Sequence, residues 1–287
     1  MSKEGKVVLT VIVMLALVGG FAAFSVVGLI RGISTSVIGK TVETDDFDVL
    51  EIDATSADIT VTRGDSYSVM YKTAARMDPE ISEKDGKLRV RQPAGIKRFF
   101  IFGFGRVDNE YTITIPDDAK PVTVEIRASS GDVTLDRVSV SGVVKTNSGT
   151  IMINDVKTDE LAAETSSGDI DTDKIAGGVC SFGTSSGEVD ILRMDADDLS
   201  VHTSSGDVEV NNSELKSIEC RTSSGSVDIE LNGDPDDYTY VCESSSGDIE
   251  VNDDRAEKRY EGGSGNNKIS IDTSSGSIEV VVGSYTD

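Results

Sequence analysis

The chain has 287 residues, with 51 acidic against 27 basic side chains, a formal net charge of −24, 28 glycines, one histidine and three cysteines. That charge disfavours nucleic acid and anionic lipid headgroups as partners of the bulk surface. An odd count of three cysteines builds no disulfide framework.

Residues 1–6 carry Lys3 and Lys6, and residues 7–30 follow with 24 uncharged positions. As a helix that run would reach about 36 Å, enough for a hydrocarbon core of about 30 Å. The sequence thus predicts a transmembrane anchor over 7–30, with a cytoplasmic amino terminus and the rest of the chain outside the cell membrane. A cleaved signal peptide is the alternative, with Ala22 and Ala23 as small residues near a cut site. Residues 31–45 read as a polar tether.

Residues 46–125 read as an amino-terminal β cap with a degenerate first coil, in which Ala57 takes the place of a glycine that recurs later. Segments 67–73, 87–91 and 111–115 alternate as strands. Between them, Lys97, Arg98, Phe99, Phe100, Phe102, Phe104 and Arg106 gather four of the chain's eight phenylalanines. Exposed, residues Arg98 to Arg106 would form a tip for a membrane surface or partner; buried, they would plug the cap. Alternation of Phe100, Phe102 and Phe104 fits a strand with one buried face.

From residue 126 to 282 a Ser-Ser-Gly corner recurs. Its glycines are Gly131, Gly149, Gly168, Gly187, Gly206, Gly225, Gly247 and Gly276, at spacings of 18, 19, 19, 19, 19, 22 and 29. Fixed-period self-similarity means an array of one small unit. Aligned on the glycine, position −3 is mostly threonine (Thr146, Thr165, Thr184, Thr203, Thr222, Thr273). Position +2 is β-branched throughout (Val133, Ile151, Ile170, Val189, Val208, Val227, Ile249, Ile278). Alternation at period 2 reads as strand on both sides. The odd number of steps from −3 to +2 demands a bulge or corner, where glycine commonly supplies positive φ.

The expected fold is all-β: a parallel β-solenoid of about eight coils of ~19 residues, each on the one before it, roughly 40 Å long. An antiparallel meander would not hold like residues at one phase of every unit. Cys180 at −7, and Cys220 and Cys242 at −5, read as inward hydrophobes. A bridge between the latter two requires adjacent coils. Residues 283–287 form a tail.

Acidic residues just after the corner, Asp169, Asp171, Glu188, Asp190, Asp207 and Glu209 among them, would stack up one face. Carboxylates about 5 Å apart repel by roughly 1 kcal/mol a pair in water, so the ladder is a candidate weak site for calcium or magnesium. A solvated acidic face is the competing reading, and no nonapeptide calcium motif is present.

Catalytic residues are not expected. A serine triad needs one activated hydroxyl with a base and an orienting acid, whereas near-identical serines on every coil point to corner hydrogen bonding. His202 stands at outward position −4 with no second histidine. The rest of that column is a mixed ladder (Arg127, Lys145, Glu164, Gly183, Arg221, Glu243, Asp272) without the concentrated basic site of a polysaccharide lyase.

The order of an apolar amino-terminal run, "DGKLRV" at 85–90, an aromatic loop, "YTITIPDDAKPVTVEI" at 111–126, serial "TSSGDI" units and a closing "GGSGNNKISIDTSSGSIEV" at 262–280 resembles the adhesin-like family of β-strand-repeat proteins. That family is a domain of unknown function on bacterial and archaeal envelopes. The resemblance covers about residues 46–282. It implies a β-helix-like envelope domain without defined catalytic residues or cofactor. The function expected from it is a membrane-anchored, extracytoplasmic, non-catalytic binding or structural module, with an envelope protein or surface polysaccharide as partner. The alternative is an accessory or regulatory subunit of an envelope-stress or membrane signalling system, followed by a carbohydrate-active β-helix enzyme.

Overall fold

A computed structural model describes residues 25–30, 33–93 and 108–283, without the side chains of 25–36 and of Arg76. The described residues form one sheet of 22 strands with no α-helix.

The amino-terminal end corrects the expected anchor. Strand β1 (Ser25–Ile30) pairs antiparallel with β2 (Ile33–Glu43), from Ser25 opposite Ile38 to Ile30 opposite Ile33. The predicted transmembrane helix is therefore overturned over its last six residues, where Val26, Val27 and Ile30 favour extended backbone. The remainder of that span, 7–24, lies outside the described residues. Among those described, no helix is long and apolar enough to cross a membrane. Most of the supposed tether is also strand: β2 pairs along β5, and its Ile38 and Val42 pack against the core.

The next strands are β3 (Val49–Ser56), β4 (Asp58–Gly64), β5 (Ser68–Ala74), β6 (Glu80–Lys84), β7 (Lys87–Arg91) and β8 (Glu110–Pro116). The repeat then supplies β9 (Val122–Ser130), β10 (Val133–Asp136), β11 (Val140–Lys145), β12 (Ile151–Glu164), β13 (Ile170–Gly183), β14 (Val189–His202), β15 (Val208–Thr222) and β16 (Val227–Asn232). Last come β17 (Tyr238–Ser244), β18 (Ile249–Val251), β19 (Asp254–Ala256), β20 (Arg259–Gly263), β21 (Asn267–Thr273) and β22 (Ile278–Gly283).

In the middle, β12 to β15 are parallel with a register of one repeat, so that Ile151, Ile170, Val189 and Val208 lie in one column. Each such inward side chain, buried to 0–1% exposure, contributes about 1.5–3 kcal/mol. Pairing skips Asp155 with Lys174 and Asp159 with Gly178, which divides the coil into three straight sides. The first bend is left-handed without glycine: Asp155, Lys174, Arg193 and Asn212 have φ of 49, 60, 54 and 50°. Each costs roughly 1–2 kcal/mol of backbone strain, which the packed sides on either hand hold in place.

The Ser-Ser-Gly corner needs glycine for a different reason from the one expected. Gly131 alone among the eight has a left-handed φ, 135°. At the others a Cβ would strike the backbone of the neighbouring coil: at Gly206 it would lie 1.6 Å from the Gly187 carbonyl oxygen, and at Gly187 1.9 Å from that of Gly168. The inward threonine locks this approach. Gly187 N–H donates to Thr184 Oγ1 at 3.1 Å, and that hydroxyl donates to the Gly168 carbonyl at 3.0 Å.

Stacking of each coil on its predecessor is corrected at both ends. The β3–β4 coil lies between two others: β3 pairs parallel with β7 and β9, and β4 with β8 and β10. The later coil of β7 and β8 is thus the outer one. Antiparallel β6 and β5 cover it. At the far end β21 and β22 insert between β15–β16 and β17–β18, with β20 and β19 as the antiparallel cover. Corner contacts follow the same order: a Cβ at Gly276 would lie 2.0 Å from the Gly225 carbonyl oxygen, and one at Gly247 2.1 Å from that of Gly276. Ile271 consequently separates Cys220 from Cys242. All three cysteines are buried and free, and burial pushes the thiol of Cys180 up to about 11 and those of Cys220 and Cys242 up to about 12.

Candidate functional site

The out-of-order amino-terminal end creates an open groove of about 690 Å³. In the middle coils the strand breaks at the inward threonine and the chain turns. Here β3 and β9 run straight through that position, with Ala54 and Ala128 where threonine would be. The groove has these alanines with Thr55 and Ser129 in its lining. Arg91, Gln92 and Pro93 of the outer coil and Lys145 and Asn147 of the next inner coil line it as well.

The outward −4 column at this end reads Arg91, Asp53, Arg127, Lys145, Glu164 in stacking order. Arg127 is paired with Glu125 and Lys145 with Glu164, the latter at 2.6 Å. Arg91 is exposed and makes no ion pair among the described residues. One column over, Glu51 accepts from Arg89 at 2.8 Å and from Lys87 at 3.0 Å, which together hold its carboxyl down to about 2.

Gln92 takes the inward −3 slot of the outer coil. Its Oε1 accepts from the N–H groups of Thr55 at 2.6 Å and Ser56 at 2.9 Å, while its Nε2 is buried without a partner. On the other side Asn109 donates to the Ser56 carbonyl at 2.7 Å and accepts from Thr73 Oγ1 at 2.6 Å. Gln92 and Asn109 therefore both bond to the corner at Thr55 and Ser56. The sequence-predicted contact residues Arg98, Phe99, Phe100, Phe102, Phe104 and Arg106 lie outside the described residues.

The acidic ladder separates into two parts. At +1, carboxylates staple coil to coil: Asp169 Oδ1 accepts from Glu188 N–H at 2.9 Å, and Asp207 Oδ1 from Ser226 N–H at 2.7 Å. At +3, Asp171, Asp190, Glu209 and Asp228 lie in register and exposed. Partial burial, then repulsion by neighbouring carboxylates, pushes Asp171, Asp190 and Asp228 up. Among the described residues no three His, Cys, Asp or Glu side chains converge to hold a metal ion.

Sequence reasoning missed Arg91, Gln92 and Asn147. The available signal was the −3 column, where Ala54, Ala128 and Gln92 depart from threonine on consecutive stacked coils; only the stacking order makes them neighbours.

The Toastrack DUF4097 sequence profile matches residues 47–281. The chain belongs to that family. It is a domain of unknown function. Among solved structures, a candidate adhesin from Bacteroides fragilis is similar at 16% identity with a TM-score of 0.54, covering 85% of this chain and 97% of that one. A candidate adhesin from Parabacteroides distasonis aligns at 11% identity and TM-score 0.42, covering 85% and 97% of the two chains. A candidate lipid-binding protein from the same organism aligns at 15% identity and TM-score 0.40, covering 87% and 97%. At these identities the first likeness shows the shared fold alone. No curated protein matches the sequence.

Proposed function

We propose that this Toastrack DUF4097 protein is a non-catalytic binding module of the cell envelope, whose partner is a surface polysaccharide or an envelope protein. The observation that carries the reading is the division of labour along every coil. Inward side chains close one continuous core, while outward ones repeat at about 4.8 Å up the stack. The result is a stiff, extended, chemically repetitive surface, suited to long contacts rather than to enclosing one reacting bond. The Bacteroides fragilis neighbour, described as a candidate adhesin, agrees with it. The test is retention of the labelled protein on isolated cell envelopes. Saturable binding displaced by unlabelled protein is expected; binding that never saturates, or none, contradicts the proposal.

A further inference from the structure

We propose that the last coil, β21–β22, is an exchangeable insert: it fills a slot whose two walls both lie upstream in the chain, and the same coil of a second copy fills that slot in its place, joining two copies by reciprocal exchange. The exchange is independent of what the outward surface binds.

The slot follows from the stacking order. β21 pairs parallel with β15 on one edge and β17 on the other, and β22 likewise with β16 and β18. Among the described Ser-Ser-Gly coils it is the one whose neighbours both precede it in the chain. Its walls are complete by Val251 and are tied to each other without it. Residues 233–237 join β16 to β17, and the buried Tyr238 hydroxyl donates to the Leu215 carbonyl of β15 at 2.7 Å.

Both walls make specific demands. Thr273 Oγ1 donates to the Gly225 carbonyl at 3.1 Å on one side, and the Gly276 carbonyl accepts from Ser244 Oγ at 2.9 Å on the other. Ile278 N–H donates to the Asp248 carbonyl and the Ser277 carbonyl accepts from Val227 N–H, both at 2.9 Å. Ile269, Ile271, Ile278 and Val280 are buried to 0–1% exposure. Empty, the slot would present two facing rows of unpaired backbone groups, and such edges are templates for another chain. An occupant must run parallel to both walls with aliphatic side chains in these columns, threonine at −3 and glycine at the corner. The closing coil of a second copy meets every one of those demands.

The connection to the insert is short and crowded. Ser264, Gly265 and Asn266 carry the chain from β20 across the end of β17, which lies between β20 and β21. Gly263 has a left-handed φ of 73°, Gly265 N–H donates to the Tyr238 carbonyl at 3.2 Å, and a Cβ at Gly265 would lie 1.9 Å from the Asp237 carbonyl carbon. Short, tight hinges are where exchange between copies is favoured. Extended, the chain from Gly263 to Asn267 reaches about 13 Å, enough to leave one stack for a neighbouring one. The contacts regained are those of the closed monomer, so no new surface is required.

Glu219 of β15 and Ser270 of β21 are outward neighbours and supply the test. Full-length Glu219→Cys and Ser270→Cys proteins, carrying different mass labels, are refolded together at high concentration under reducing conditions and then oxidised. Peptide maps of the dimer should show position 219 of one copy linked to position 270 of the other. Asp171→Cys with Asp190→Cys, equally adjacent but in the middle of the stack, should give no such link between copies. Glu219→Cys with Ser270→Cys in one chain should close within the monomer, which verifies the distance. Gly265→Ala burdens only the closed crossing and should raise the dimer share at least about tenfold. A 219–270 link between copies no more frequent than the 171–190 one overturns the proposal, as does a folded Gly265→Ala protein with the dimer share of the parent.

Discussion

The middle of the stack and its two ends are made of the same repeat but assembled differently. From β12 to β15 each coil lies on its predecessor, whereas at both ends a coil later in the chain changes places with an earlier one. Because the Ser-Ser-Gly coils all offer the same columns, isoleucine or valine at +2 and glycine at the corner, any of them fits on any other, and the inward pattern sets register without setting order. The connections set order. Where the spacing is 19 the chain can only step up; the longer spacings of 22 and 29 around Gly247 supply the residues that reach over β17–β18 and return beneath it.

The corner glycines give the largest expected contrast. Gly206→Ala places a Cβ 1.6 Å from a carbonyl oxygen that is itself part of the stack, and should destabilise by roughly 3 kcal/mol or more. Ala57 occupies the equivalent position next to the outer coil, which has no Ser-Ser-Gly corner, and Ala57→Gly should cost only about 1 kcal/mol or less. Gly183→Ala, with no atom nearer than 3.7 Å, should fall within about 0.5 kcal/mol of the parent. Urea midpoints order the three; a Gly206→Ala protein as stable as Gly183→Ala would show that close approach is not what selects glycine.

Thr184→Val should cost about 1–3 kcal/mol, because it strands the buried Gly187 N–H and Gly168 carbonyl while keeping volume. Denaturation of the variant at fixed pH measures it, and no loss would reassign the threonine column to packing alone.

The ends and the middle should also respond oppositely to pH. Glu51 at the amino-terminal end has a folded pKa of about 2, below its ordinary 4.5, so its contribution is present above that ordinary value and lost as pH falls toward 2. Glu51→Gln should cost about 1–2 kcal/mol at neutral pH, less than full linkage because Lys87 and Arg89 are half in water. Asp190 in the middle is pushed up, so the folded state holds its proton more tightly than the unfolded one. Its contribution is present below the ordinary value and lost as pH rises through the folded one. Asp190→Asn should therefore be neutral to slightly stabilising at pH 7, by a few tenths of a kcal/mol. Melting curves of both variants from pH 3 to 8, read as differences from the parent, decide the signs.

What the sequence made legible follows from what a repeat encodes. The columns at −5, −3, +2 and +4 could be read as inward because period-2 alternation is a local property, and the corner could be placed because five steps break it. Asp155, Lys174, Arg193 and Asn212 hid the left-handed bend, since charged and amide residues in left-handed backbone carry no compositional flag where glycine would. The run before Ile30 looked like a helix by hydropathy alone; pairing of β1 with β2 is a long-range fact that hydropathy does not contain. Arg91, Asp53 and Arg127 are far apart in sequence, and nothing local tells that Asp53 stands between the other two.

That interposition is also what shapes the groove, and disulfide trapping tests it directly. Neighbouring strands about 4.8 Å apart permit a bridge, and strands about 10 Å apart do not. With Cys180, Cys220 and Cys242 buried and unreactive, the account predicts that Asp53→Cys with Arg127→Cys oxidises readily, whereas Arg91→Cys with Arg127→Cys stays reduced under the same conditions. A readily formed bridge in the second pair would mean that the coils stack in chain order, and would contradict the account.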